Sequence, residues 1–281
     1  MPELPEVEVI RRELEPLVGD KIFATPRLLF PGSVRFPAPN EFIDRLPGCR
    51  IRSLQRRGKY LIFQLSRGLL LVHLRMTGRL LFSEEGVAAP EPTHLRVVLP
   101  FQEGGALNFY DMRKFGGLWL SPGRRGLPPG FLKLGPDLYR EVDRERFAAL
   151  LGSHRRARLK SLLLNQRVFS GLGNIYTDES LYRSRLHPRR PAGSLTPKEI
   201  DSLYRAISRL LKRGIRYGGT SIRGFRGATD REGSFQDYLE VYGRRDKPCR
   251  RCGTPILRIT VGGRGTYLCP RCQPEDSSPT G

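Results

Sequence analysis

GKYLIFQLSRGLLLVHLRMTG, residues 58–78, sets two short apolar runs, KYLIFQL and GLLLVHLRM, on either side of an RG turn signal and ends on a second signal, TG. Runs this short, punctuated this regularly, read as β-strands joined by tight turns. The same texture extends from about residue 21 to 121, through THLRVVLPF, ALNFY and GGLWLS, with EGG and GG as further turn signals. Few helix signals interrupt it, so an antiparallel sheet domain is expected, built as a sandwich or a flattened barrel.

Upstream of the sheet, Val7, Ile10, Leu14 and Leu17 recur at helical spacing and predict an opening helix over residues 2–18. Pro5 suits its first turn and Gly19 its end, while Glu6, Glu8, Arg11 and Arg12 are expected to be largely free to face elsewhere. Downstream, SPGRRGLPPGFLKLGPDLY is rich in proline and glycine and marks a boundary near residue 140. DRERFAALL, RRARLKSLLLNQ, NIYTDESLYRS and PKEIDSLYRAISRLLKRGI then show helical periodicity, with Thr196 and Pro197 placed to start the last of them. SGLGN lies between two of these helices, where its glycines allow close approach of backbone to a partner and present N–H groups at a helix start. Residues 218–238 are polar and glycine-rich, a functional loop or a disordered one, and the last residues, EDSSPTG, read as a disordered tail.

The 281 residues suffice for two modest domains. Lysine and arginine number 49 against 28 acidic residues, a net charge of +21 that favours a polyanionic partner, nucleic acid first, without specifying a reaction. No stretch approaches the run of about 18 apolar residues that a membrane span needs. The start, MPELPEVEVIRREL, is charged within three residues, unlike a signal peptide, so an intracellular protein is expected.

Two sites of chemistry stand out. Cys249, Cys252, Cys269 and Cys272 form two CxxC pairs sixteen residues apart, a spacing that lets four thiolates close a tetrahedral zinc site on a small hairpin. Such a shell leaves no open coordination position, so the metal would be structural. The GGRG turn between the pairs projects Arg264, while Cys49 is left over and reads as buried structure. The second site is the N-terminus, where removal of Met1 would make Pro2 a free secondary amine with a pKa far below that of lysine. Such an amine attacking a sugar C1′ gives an iminium that both expels the base and acidifies the C2′ proton. Glu3 and Glu6 are close in sequence for the accompanying proton transfers. Read locally, the same residues make an ordinary helix start rich in proline and glutamate.

MPELPEVE at the extreme N-terminus, GKYL at 58–61, HLRMTG at 73–78, DMRKFGG at 111–117, GLGNIYTDESL at 171–181 and the terminal cysteine pairs stand in the order and spacing of bacterial formamidopyrimidine-DNA glycosylases. The chain resembles that family over residues 1–273. The resemblance implies that Pro2 is the Schiff-base nucleophile, Glu3 the general acid/base, Glu6 a further acid near the sugar, and Lys59 a phosphate contact that assists β-elimination. It implies that Met76, Arg113 and Phe115 fill the void left by an extruded nucleotide, a role suited to an apolar wedge and a planar cation. Asn174 would clamp phosphate, with His94, Arg156 and Lys160 as lesser DNA contacts, and Arg264 would grip phosphates and take part in δ-elimination. Taken alone, Lys59 also reads as a solvated strand lysine, His94 as a strand histidine, and Met76 and Phe115 as core residues.

Two departures matter. LLNQ places Asn165 where the family often has an acidic residue, and SIRGFRGATDREG offers Arg223 as its basic loop residue in an otherwise individual stretch. The sister enzyme endonuclease VIII typically begins PEGPE, whereas this chain reads PELPE; a non-enzymatic zinc-ribbon binding protein is the alternative from another class. The expectation is thus an α+β multidomain fold with an N-terminal antiparallel β-sandwich and opening helix (1–140), a helix-two-turn-helix domain with a lesion-recognition loop (141–240), a β-hairpin zinc finger (241–273) and a tail (274–281). The implied enzyme is a cytoplasmic, monomeric glycosylase and AP lyase acting on oxidised purines in duplex DNA, with one structural Zn2+.

Overall fold

The computed structural model describes residues 1–85, 93–222 and 224–275. They form two compact units, Met1–Lys133 with Gly214–Gln236, and Leu134–Arg213 with the chain from Asp237 onward. Arg223 and residues 276–281 of the expected tail lie outside the described residues.

In the first unit the opening helix α1 (Leu4–Val18) ends at Gly19, and α2 (Pro39–Arg45) and the one-turn α3 (Pro129–Leu132) are its other α-helices among the described residues. The strands are β1 (Arg27–Leu28), β2 (Val34–Phe36), β3 (Ile51–Arg57), β4 (Tyr60–Leu65), β5 (Leu69–His73), β6 (Gly78–Ser83), β7 (Leu95–Pro100), β8 (Ala106–Asp111) and β9 (Gly117–Ser121). They make two sheets, one ordered β1-β7-β8-β6 and one ordered β2-β9-β5-β4-β3. Leu54, Leu61, Phe63, Leu70, Val72 and Leu118 from the larger sheet share one apolar cluster with Leu80, Val97, Leu99, Leu107 and Phe109 from the smaller. The period of two along these strands puts one face of each sheet into a common core, which makes the unit a sandwich. The SRG turn works because Gly68 takes a left-handed φ of +82°, and a Cβ there would collide with the Ser121 carbonyl.

One pairing departs from the antiparallel expectation. β2 runs parallel to β9, with a register shift between Val34 and Phe36. No tight turn joins these two strands, so nothing local dictates their direction.

Val7, Ile10 and Leu14 bury their side chains in the core, as the helical spacing predicts; Leu17 packs against it only partly buried, Val18 is the fully buried residue of the last turn, and Cys49 joins them. Glu6 and Glu8, expected to face elsewhere, are each only 1% exposed. They are tolerated inside because each is paired: Glu6 with backbone amides and the Thr220 hydroxyl, Glu8 with arginines, as described below.

The glycine-rich segment also differs from its sequence reading, which grouped it with the helical domain. Phe225 and Ala228 enter the sandwich core. The Ala228 amide donates to Glu13 of α1 at 2.6 Å and its carbonyl accepts from Phe82 of β6 at 2.9 Å. Two apolar residues among many polar ones gave no periodicity, yet they are what seats the segment on the first unit.

The second unit carries α4 (Arg144–Gly152), α5 (Leu159–Leu164), α6 (Asn174–Arg183) and most of α7 (Pro197–Arg216). Asp143 caps α4 through the Arg146 amide. Thr196 and Glu199 exchange the two bonds of a capping box at the start of α7. Asn165 closes α5, its Oδ1 accepting from the Arg167 amide at 3.0 Å, a bond an aspartate there would make equally well. The substitution at LLNQ therefore keeps the local turn. β10 (Leu257–Val261) and β11 (Arg264–Leu268) form the expected hairpin, with Val261 opposite Arg264 at its tip. Among the described residues no helix is long and apolar enough to cross a membrane.

Candidate functional site

The functional residues of the first unit start at its N-terminus. Pro2 is buried and Glu3 is the N-cap of α1. A capping box ties Glu3 to Glu6: the Glu6 amide donates to the Glu3 carboxylate, and the Glu3 amide donates to Glu6 Oε2 at 2.8 Å. The other Glu6 oxygen accepts from the Thr220 amide at 2.9 Å and its hydroxyl at 3.0 Å. Gly219, at φ +80°, admits this approach, since a Cβ there would lie 2.8 Å from Glu6 Cγ. The first turn of α1 thus holds two buried carboxyls beside Pro2, one of them fixed by a residue 214 positions away.

Glu8, one turn further on, accepts from Arg56 Nε of β3 at 3.0 Å and also from Arg11 and Arg12. Burial pushes its carboxyl up, but these guanidinium bonds outweigh it and hold the group below the usual carboxylate range. Arg56 has a fully buried side chain and its Nη1 donates to the Gly58 carbonyl at 2.9 Å. Gly58 and Lys59 form the turn between β3 and β4, and Lys59 is 6% exposed.

His73, at the end of β5 opposite Tyr60, was not singled out by the sequence reading. Its ring packs edge-on against Tyr60 at 4.4 Å, and its Nδ1 accepts from the Arg75 amide at 3.0 Å. Burial first, then the charges of Arg75 and Lys59, lower its pKa to about 3. The ring is therefore neutral at physiological pH, with the proton on Nε2, a donor. Its Nδ1 bond shapes the turn into β6 that carries Met76.

That turn is joined to the DMRKFGG loop through Asp111. The Asp111 carboxylate accepts from the Thr77 hydroxyl, from the Arg113 amide at 3.2 Å and from the Gly116 amide at 2.7 Å. The Arg113 amide also reaches Thr77 Oγ1 at 3.1 Å, so the loops bearing Met76 and Arg113 are held by one carboxylate. Phe115 is 52% exposed and stacks against the Arg113 guanidinium, 4.6 Å from its centroid. Met112, in the same loop, is 55% exposed, so the loop presents two large apolar side chains to solvent. His94 is half-buried just before β7, and its Nδ1 is enclosed without a hydrogen-bond partner.

In the second unit, one face of α6 holds the hairpin. Asn174 Nδ2 donates to the Gly265 carbonyl at 2.8 Å, Asp178 accepts from the Tyr267 amide at 3.0 Å, and Tyr182 Oη meets Cys249 Sγ at 3.1 Å. Spaced four apart, the three side chains lie on one stripe of the helix. Glu179, beside them, accepts amides from Glu240, Val241 and Tyr242, and burial raises its carboxyl despite those bonds. Arg264, at the hairpin tip next to Gly265, is exposed, as is Arg156.

Lys160 is a correction. Expected as a DNA contact, it is fully buried and ion-paired with Asp178, so its ammonium is enclosed rather than presented to a phosphate. Burial pushes Asp178 up to about 7, against the pull of Lys160 and the Tyr267 amide. The partner is 18 residues distant and carried by the next helix, which sequence spacing does not reveal.

Cys249, Cys252, Cys269 and Cys272 bring their sulfurs within 4.8 Å of one another. Three of the separations are 3.5, 3.5 and 3.9 Å. A tetrahedron of thiolates at Zn–S distances of about 2.3 Å has edges of about 3.8 Å, so the cluster fits one zinc ion. All four positions are filled by protein, which leaves the metal no place for a substrate.

The comparisons with known proteins agree with this arrangement. Residues 1–118 match the formamidopyrimidine-DNA glycosylase N-terminal domain, residues 134–226 its H2TH domain, and residues 246–274 a zinc finger found in FPG and IleRS. Curated relatives include the formamidopyrimidine-DNA glycosylases of Symbiobacterium thermophilum, 45% identical over 98% of this chain and 90% of that one, and of Pelotomaculum thermopropionicum, 45% identical over 97% and 99%. Among solved structures, a Lactococcus lactis FPG mutant in complex with Fapy-dG-containing DNA superposes with a TM-score of 0.87 at 36% identity, covering 98% of this chain and all of that one. MutM in complex with DNA containing carbocyclic 8-oxo-G gives a TM-score of 0.86 at 37% identity over the same shares. Fold, carboxyl-rich N-terminus and thiolate hairpin together are those of a DNA glycosylase with AP lyase activity. The chain belongs to the formamidopyrimidine-DNA glycosylase family.

Proposed function

We propose that this protein excises oxidised purines, 8-oxoguanine and formamidopyrimidines, from duplex DNA through a Schiff base on Pro2, and then cuts the strand by β,δ-elimination. The observation that carries the reading is Pro2 itself, buried at the positive end of the 15-residue helix α1 beside the buried Glu3 and Glu6 carboxyls. With Met1 removed, the helix dipole and the enclosure both disfavour an ammonium there, which leaves the nitrogen lone pair available.

That pair forms the N–C1′ bond while the glycosidic bond breaks and the base leaves with a proton. Glu3 supplies the proton for departure and ring opening. In the resulting iminium the C2′ proton is acidic, and its removal releases the electron pair that expels the 3′-phosphate oxygen. Loss of the C4′ proton then releases a second electron pair into the conjugated sugar and expels the 5′-phosphate oxygen. Lys59 assists the first elimination and Arg264 holds the flanking phosphates for the second. Met76, Arg113 and Phe115 enter the duplex in place of the extruded nucleotide. Asn174, Arg156 and His94 contact the backbone, and the net charge of +21 supplies long-range attraction. Relatives solved with Fapy-dG, 8-oxo-G analogue and abasic-site DNA support this substrate class.

A single-lesion panel tests it. Base release from 8-oxoguanine opposite cytosine should exceed that from thymine glycol, and Glu3→Gln should keep duplex binding while losing base release. The reverse preference, or full turnover by Glu3→Gln, contradicts the reading.

A further inference from the structure

We propose that Arg56, held by Glu8, is a positioning residue for the lyase step: it fixes the turn that carries Lys59 and so aims the Lys59 ammonium. The inference rests on the role given to Lys59 above. Glu8 is on α1 and Arg56 on β3, 48 residues on, and both are buried. The Arg56 guanidinium spends one nitrogen on the Glu8 carboxylate at 3.0 Å and another on the carbonyl of Gly58 at 2.9 Å. Gly58 immediately precedes Lys59 and has a left-handed φ of +57°. The planar fork of the guanidinium thus links the helix that begins next to Pro2 to the backbone from which Lys59 projects. A lysine side chain has several torsions to set, and fixing the carbonyl at its base restricts where the ammonium can go. Three arginines converge on Glu8, of which Arg11 and Arg12 reach the surface and Arg56 does not. Arg11 and Arg12 both meet Glu8 Oε1, so the carboxylate keeps two guanidinium partners when Arg56, which meets Oε2, is replaced.

Arg56→Met is the informative substitution, because Glu8 keeps Arg11 and Arg12 while the bond to Gly58 is lost. Single-turnover assays on an 8-oxoguanine duplex and on a preformed abasic duplex separate base release from strand cleavage. The expected result is base release near the wild-type rate and β-elimination slower by on the order of 10-fold or more. Lys59→Ala should slow elimination as well, and adding Arg56→Met to it should cost nothing further, since both act on one group. Equal losses in both steps, or additive losses in the double variant, overturn the positioning role. Unchanged elimination in Lys59→Ala overturns the role of Lys59 itself and the proposal with it. Should Arg56→Met fail to fold, the paired replacement Glu8→Leu with Arg56→Met removes both buried charges together and is read in the same way.

Discussion

Acidifying the protein tests the state assigned to His73. The folded ring has its pKa lowered from 6.5 to about 3, mainly by burial and then by the charges of Arg75 and Lys59. Between those values the unfolded chain binds a proton that the folded chain does not, so stability rises with pH across this window and is lost as pH falls through it. Between about pH 7.5 and about pH 5 the unfolded imidazole becomes almost fully protonated, and at about 1.4 kcal/mol per pH unit below 6.5 this ring removes about 2 kcal/mol of stability. The carboxylates that are held low, Glu8, Glu103 and Glu199, act in the same direction but below their ordinary value of 4.5, outside this interval, whereas Asp178, raised to about 7, titrates inside it with the opposite sign and cancels when wild type and variant are compared. Urea unfolding of the wild type and of His73→Asn at the two pH values isolates the contribution. Asparagine can still accept from the Arg75 amide but cannot titrate. The wild type should lose about 2 kcal/mol more than the variant on going to the lower pH. An equal loss in both, or an NMR titration of the His73 ring with a midpoint near 6.5, refutes the buried neutral imidazole.

Two further outcomes are expected. Chelating the zinc should loosen the β10–β11 hairpin, because the cysteine pairs that would hold the ion flank it on either side and close its base, and should weaken binding to abasic duplex by on the order of 10-fold or more; unchanged affinity in metal-free protein contradicts a structural role for the ion. Phe115→Ala should slow 8-oxoguanine release while leaving cleavage of a preformed abasic site nearly intact, and should alter stability by no more than about 0.5 kcal/mol, since the ring lies outside the core. A large fall in stability, or equal losses on both substrates, would make the residue structural instead.

What the sequence disclosed and what it hid follow from the range of the interactions. KYLIFQL and GLLLVHLRM became β4 and β5 because strand texture and turn chemistry are local, and the cysteine pairs reported their site through spacing alone. Val7, Ile10 and Leu14 declared the buried face of α1 by period. Glu8 did not, since a glutamate on an amphipathic helix reads as solvent-facing until an arginine on β3 is known to meet it. Lys160 shows the same limit: a basic residue in a DNA-binding family reads as a phosphate contact, and only the fold brings Asp178 against it. Thr220 on Glu6 and Phe225 in the core belong to a segment whose composition resembles a loose loop. His73 and Asp111 lay inside the motifs HLRMTG and DMRKFGG, but their work, neutral acceptor and loop clamp, is defined by bonds that no motif displays.

Borohydride capture during turnover on 8-oxoguanine duplex, followed by peptide mapping, addresses the chemistry most directly. The account predicts that the mature chain lacks Met1 and that the reduced sugar is attached to the nitrogen of Pro2. An adduct on Lys59 or any other side chain, or none from protein that is cleaving DNA, contradicts it.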